Sequence, residues 1–152
     1  MNDDVDRERL MEWVERIASH LAATDGLPPV TGRILGWLMV CDPAEQSAGR
    51  IAEAIGASRG SMTPNLRQLT AVGFLEKVNR PGSRTALYRL TENAWQVVVD
   101  RQVAALAAFR AITSDGMALL GGGERAHRVR QADHVMERLQ RALSREAQEE
   151  RS

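Results

Sequence analysis

The run SAGRIAEAIGASRGSMTPNLRQLTAVGFLEKVNRPGSRTALYRL, residues 47–90, constrains the fold more tightly than any other part of the chain. Ser47 offers a hydroxyl to cap a short helix, Ala48–Ile55, whose inward face is Ile51, Ala52 and Ile55. Gly56 follows, able to take positive φ at a turn, four positions after Ala52, a side chain small enough for two helices to touch. Ser58 then caps a second helix, with Met62, Leu66, Leu69 and Val72 as its core stripe and Gly73 as its C-terminal cap. Phe74–Asn79 and Thr85–Leu90 read as two short strands, and Pro81-Gly82 turns the chain between them.

Helix, tight turn, helix, strand, basic loop, strand is the order of a winged helix-turn-helix, a shape that lays one helix in the DNA major groove. Pro64 is the discordant residue. If Ser58 caps the second helix, Pro64 stands in its second turn, where it removes a backbone donor and crowds the preceding turn. Either the helix is kinked there or it starts in earnest near Thr63, and the choice changes which side chains face outward.

The flanks are helical by periodicity. Leu10, Val14, Ile17 and Leu21 give a first helix over Val5–Thr24, with acidic residues crowding its N-terminal turn. Asp25-Gly26 and Pro28-Pro29 end it. Val30–Cys41 is a strongly apolar second helix stopped by Asp42-Pro43, and Ala44–Ser47 has room for a small strand. Thr91 is placed to cap a long helix over Glu92–Met117, its buried stripe comprising Trp95, Val99, Val103, Leu106, Phe109 and Ile112. Gly121-Gly122-Gly123 breaks the chain before a last amphipathic helix, Glu124–Ala147, with Val129, Val135 or Met136, Leu139 and Leu143 on one side. The fold expected is mainly α with a small β wing.

Charge separates the parts. The whole chain is formally neutral, yet residues 47–90 hold seven basic residues against two acids, so the cations are concentrated where a polyanion would sit. The segment MNDDVDRERL is acidic and has no apolar core of the signal-peptide kind, and no uncharged apolar run approaches the roughly 18 residues of a membrane span. A soluble, cytoplasmic protein without a membrane partner is expected. The single cysteine, Cys41, rules out an intrachain disulfide and reads as a small hydrophobe at a helix end. His20, His127, His134 and Cys41 lack metal-ligand spacing, so no metal site is expected. No nucleophile–base pair or carboxylate pair stands out, and the triple glycine lacks the Lys-Ser/Thr of a phosphate loop, so neither catalytic residues nor a cofactor are expected.

The second helix of the motif carries the residue types that read base edges and grip phosphates. Arg59, Ser61, Thr63 and Asn65 are its expected outward positions, with Gln68 beside them; Arg suits guanine, Asn and Gln suit adenine, and hydroxyls suit either. Ser58 stands at its start, and Arg67 is placed for the phosphate backbone. The wing, Asn79-Arg80-Pro81-Gly82-Ser83-Arg84, brings two arginines to a hairpin tip that suits a minor groove or a phosphate. Arg50, near the start of the preceding helix, is placed for phosphate beside that helix's free amides.

These motifs resemble those of the MarR-type transcriptional regulators: Gly56-Ala57-Ser58-Arg59-Gly60-Ser61-Met62, Leu66-Arg67-Gln68-Leu69, Gly73-Phe74-Leu75-Glu76-Lys77-Val78 and the Pro-Gly-Ser-Arg wing. Gly26-Leu27-Pro28-Pro29 through Gly32-Arg33-Ile34-Leu35-Gly36-Trp37-Leu38 is similar more specifically to the GbsR-like branch. The resemblance implies a homodimeric regulator of transcription, each subunit presenting one helix to half of a pseudo-palindromic operator on double-stranded DNA. It implies a winged domain over 27–91, a helical dimerisation region at 1–26 and 92–152, and a small-molecule effector held between the two. Pro64 departs from the family pattern, which makes base contacts less secure at Thr63 and Asn65 than at Arg59 and Ser61.

Physics supports a dimer independently, because the terminal helices hold more apolar stripe than one small winged domain can cover. For an effector, Trp13, Trp37 and Trp95 are the candidate residues, since stacked aromatics hold a quaternary ammonium or an aromatic ring. Packing in a core or interface is the more economical reading of all three. The alternative function is a winged-helix protein-interaction module that never reads bases; it predicts a second helix depleted of Arg and Asn and a wing without cations, and neither holds here.

Overall fold

The computed structural model of the chain describes residues 3–149, with side chains from residue 6 onward. It falls into two compact units, Met1–Ala94 and Trp95–Ser152. The first holds α1 (Asp3–Asp25), α2 (Pro29–Val40), β1 (Gln46–Ser47), α3 (Ala48–Ile55), α4 (Arg59–Ala71), β2 (Leu75–Val78) and β3 (Leu87–Leu90). The second is a hairpin of α5 (Gln96–Leu120) and α6 (Gly123–Glu149). The part of the acidic first turn that falls on residues 3–5 lies outside the described side chains.

Close approach of α1 and α2 anchors the first unit. Gly26 at φ 66° closes α1, and Pro29 takes the first turn of α2, where its missing N–H costs nothing. Gly32 and Gly36 present bare backbone to α1: a β-carbon on Gly32 would lie 2.9 Å from the Ala18 Cα, and one on Gly36 would lie 3.2 Å from Val14 Cγ1. Val14, Ala18 and Leu21 are thereby buried, as are Ile34, Leu35 and Leu38 of α2. Glu15 accepts two hydrogen bonds from Arg33 at the exposed edge. Cys41 follows α2, and burial pushes its thiol pKa up.

The helix-turn-helix forms as its local residues dictate. Ser47 Oγ accepts from the Arg50 N–H, and Gly56 ends α3 at φ 67°. Ser58 Oγ accepts from the Ser61 N–H at 3.3 Å to start α4. Pro64 lies inside α4, which runs as one helix from Arg59 to Ala71. The missing donor leaves only the Gly60 carbonyl without its helical partner, and Gly60 is exposed. The helix ends in a Schellman motif: the Gly73 N–H reaches the Thr70 carbonyl (3.2 Å), the Phe74 N–H reaches Leu69 (3.0 Å), and Gly73 takes φ 95°. Met62, Leu66, Leu69 and Phe74 are buried; Val72, expected in the same stripe, is 48% exposed because it caps the helix end.

The sheet is antiparallel in the order β1-β3-β2. Lys77 stands opposite Tyr88 and Leu75 opposite Leu90, while Glu76 stands opposite Arg89 on the other face. The wing turn Arg80–Ser83 is closed by the Ser83 N–H on the Arg80 carbonyl (3.2 Å), with Gly82 at φ 79°, as a type II turn requires.

Two expectations for the long helix are corrected. It starts at Gln96, because the Thr91 hydroxyl faces the Gly73 carbonyl (2.8 Å) and the Phe74 carbonyl (3.4 Å) instead of capping it, and residues 92–95 form a turn. Its stripe is not buried as a whole: Trp95, Phe109 and Ile112 are exposed, along with Leu119, while Thr113 is the buried residue of α5. The face turned to α6 is polar at its centre. Thr113 Oγ1 donates to Asp133 (2.7 Å), and Arg110 reaches both Asp133 (3.3 Å) and Gln140 (3.1 Å). By length and composition alone α5 is apolar enough to cross a bilayer, although Arg110 and Asp115 interrupt its uncharged run.

Candidate nucleic-acid interface

The buried stripe Met62, Leu66 and Leu69 fixes the rotation of α4, so its outward surface follows from helical geometry. Exposed positions are Arg59, Gly60, Thr63, Pro64, Arg67, Gln68 and Ala71. Gly60 and Pro64, a turn apart, keep the middle of this face low. Arg59, Thr63 and Arg67 line the flank toward the sheet, where two grooves open. One, of ≈ 490 Å³, lies among Gly49, Arg59, Thr63, Thr85 and Tyr88. The other, of ≈ 360 Å³, lies among Thr63, Arg67, Thr70, Lys77 and Tyr88.

The opposite flank differs from expectation. Asn65 is half-buried: its Nδ2 donates to the Ser61 carbonyl (2.6 Å) and its Oδ1 accepts from the Thr31 hydroxyl (2.9 Å), joining α4 to α2. Ser61 is also half-buried and donates its hydroxyl to the Ser58 carbonyl at 2.8 Å. The Ser58 hydroxyl oxygen is occupied as the helix cap. These three residues shape the helix, whereas Arg59, Thr63 and Arg67 are open.

The seven basic residues of 47–90 divide in the same way. Among the described residues, Arg50, Arg59, Arg67, Lys77 and Arg84 form no ion pair. Arg80 and Arg89 both pair with Glu45, and Arg89 pairs with Glu76 as well. The hydrogen bond from Arg80, with the charges of Arg80 and Arg89, holds the Glu45 carboxyl below its ordinary pKa. Arg80, expected as a bare wing cation, is therefore tied to the chain leading into β1, and Arg84 is the open arginine of the wing.

Gln68 is exposed on α4, as expected. Sequence reasoning passed over Lys77 and Tyr88 as site residues; strand parity carries the signal for both, since opposed residues share a sheet face and that face turns to α4. Of the tryptophans, Trp13 on α1 and Trp37 on α2 are half-buried in the first unit, and Trp95 precedes α5 in the second. Trp37 Nε1 is buried with no hydrogen-bond partner among the described residues. Those residues contain no cluster of three or more metal-ligating side chains.

No family model matches the chain. It is 31% identical over 150 residues to the HTH-type transcriptional regulator MmpR5 of Mycobacterium tuberculosis, a match that covers 95% of this chain and 90% of that protein. The HTH-type transcriptional repressor OpcR of Bacillus subtilis is 28% identical over 86 residues, 57% of this chain and 45% of that one. A solved crystal structure of a transcriptional regulator superposes with TM-score 0.68 at 32% identity, covering 92% of this chain and 99% of that one. With its winged helix-turn-helix and an open cationic flank on α4, the chain belongs to the HTH-type transcriptional regulators and is a DNA-binding regulator of transcription.

Proposed function

We propose that this regulator is of the MarR type, in its GbsR-like branch, and acts as a homodimer on a pseudo-palindromic operator. Residues 27–91 form the DNA-binding domain, and segments 1–26 and 92–152 supply the dimer contacts. One observation carries the reading of the DNA face: Arg59, Thr63, Arg67 and Lys77 are exposed together where α4 meets the sheet, and among the described residues none of these cations, nor the wing's Arg84, forms an ion pair. Arg59 and Thr63 read base edges, with Gln68 beside them, while Arg50, Arg67, Lys77 and Arg84 hold phosphates. The low middle of α4, at Gly60 and Pro64, favours close approach of the helix to the groove floor.

The dimer reading is supported by the apolar side chains that α5 and α6 leave open: Phe109, Ile112 and Leu119 on one, Val135 and Leu139 on the other. A second copy of the same hairpin covers such a face symmetrically. An effector site is favoured at Trp37, whose buried N–H wants an acceptor. The setting is cytoplasmic, with DNA, a second copy and a small molecule as partners.

The test is a mobility shift of the purified protein on its own upstream intergenic DNA, with competitor and a salt series. A selective, strongly salt-dependent shift supports the reading. Salt-dependent binding without selectivity replaces it with an architectural role, and absence of binding at low salt replaces it with a protein-interaction module.

A further inference from the structure

We infer that Glu45 masks the wing arginine Arg80 and so weakens sequence-independent binding to DNA; this rests on the reading that the wing lies against the phosphate backbone. Arg80 opens the wing turn, and with Arg84 it would put two cations at the tip. Its Nη2 instead donates to Glu45 Oε2. Glu45 is not a loose surface carboxylate. Its side chain is 16% exposed, and its second oxygen accepts from Arg89 Nη1 at 3.0 Å. Arg89 is braced in turn by Glu76, its directly opposed neighbour on β2. Two arginines and two carboxylates therefore form a neutral network beside the wing, built on the sheet face that turns away from α4.

Sequence-independent binding follows the number of phosphates that cations neutralise, so holding one arginine on a carboxylate removes one unit from that number. The pair is partly exposed, with Arg80 at 62%, and is weak enough to be measurable by removal of its acid. The base-reading flank of α4 is untouched by the change.

The experiment uses the full chain and a short mixed-sequence duplex, with anisotropy read across a salt series. Glu45→Gln is expected to tighten binding about two- to fivefold and to steepen the logarithmic salt dependence by about 0.9. Arg80→Gln is expected to leave the wild-type slope unchanged, and to return the Glu45→Gln slope to the wild-type value. Equal or weaker binding by a folded Glu45→Gln protein, with a flatter slope, overturns the inference and makes Glu45 a latch that positions the wing. Flattening of the wild-type slope by Arg80→Gln alone overturns it as well, and that measurement does not depend on how Glu45→Gln folds. Arg84→Ala separates the two levels: if it too leaves the slope unchanged, the wing does not meet DNA and the underlying reading fails.

Discussion

Gly32 of α2 lies so near Ala18 of α1 that a β-carbon at residue 32 would stand 2.9 Å from the Ala18 Cα. Backbone on both sides prevents easy relief. Gly32→Ala is therefore expected to lose about 1–3 kcal/mol by overpacking, despite the better helix propensity of alanine. Gly60→Ala, where the new methyl meets open space, should gain about 0.5–1 kcal/mol. Urea unfolding compares the two, and a Gly32→Ala protein as stable as wild type would show that α1 can move away.

Asn65 binds Thr31 and the Ser61 carbonyl, so its removal should be felt in stability before it is felt in base preference. Asn65→Ala is expected to lose about 1–2 kcal/mol, with Thr31→Val non-additive to it. A changed preferred base at one operator position, with unaltered unfolding, would place the amide on DNA instead.

Arg59→Ala should weaken operator binding by about 1–3 kcal/mol and blur a single base position. Arg84→Ala should weaken binding on every sequence and flatten the salt dependence by about 0.9. Wild-type affinity in both variants, measured on the selected operator, would remove α4 and the wing from the interface.

The Thr113 hydroxyl, followed by Arg110, holds the Asp133 carboxyl below its ordinary pKa. A carboxylate depressed in the folded state contributes stability that is present above its unfolded pKa and is lost as pH falls through the folded value. Thr113→Val should accordingly lower Tm most at neutral pH, with the gap to wild type closing in acid. A gap that widens on acidification would contradict this sign.

Ile112→Glu or Leu119→Glu places a carboxylate on the exposed apolar stripe of α5. Sedimentation should show a dimer for wild type and a monomer for either variant, and truncation at Gly121 should have the same effect. Dimers that survive all three changes would move the interface elsewhere.

What the sequence made legible was governed by short-range chemistry. Ser47, Gly56, Ser58, Gly73 and Pro81-Gly82 each act within four residues, so caps and turns could be read with nothing else in view. What escaped depended on distant partners. Asn65 is an outward position by the sequence reading and has an amide suited to a base edge, but its partner Thr31 is 34 positions away. Arg80 was expected bare, although Glu45 lies 35 positions earlier. Thr91 has the composition of a helix cap and is drawn to Gly73 and Phe74 instead. The α5 stripe was legible as apolar, but not which of its residues α6 would cover, because Arg110 and Thr113 pull the hairpin seam toward Asp133.

The Thr91 contact has a bearing on how this protein could be retargeted. One hydroxyl at the end of β3 joins the turn that closes α4 and opens β2, and the Thr91 N–H adds a 3.0 Å bond to the Phe74 carbonyl. The end of β3 is thus pinned to the end of α4, so helix and sheet share one joint at this point. If the proposed DNA face is right, a new operator is expected to be met by exchanging side chains at 59, 63, 67, 68 and 84 rather than by re-aiming the helix against the wing.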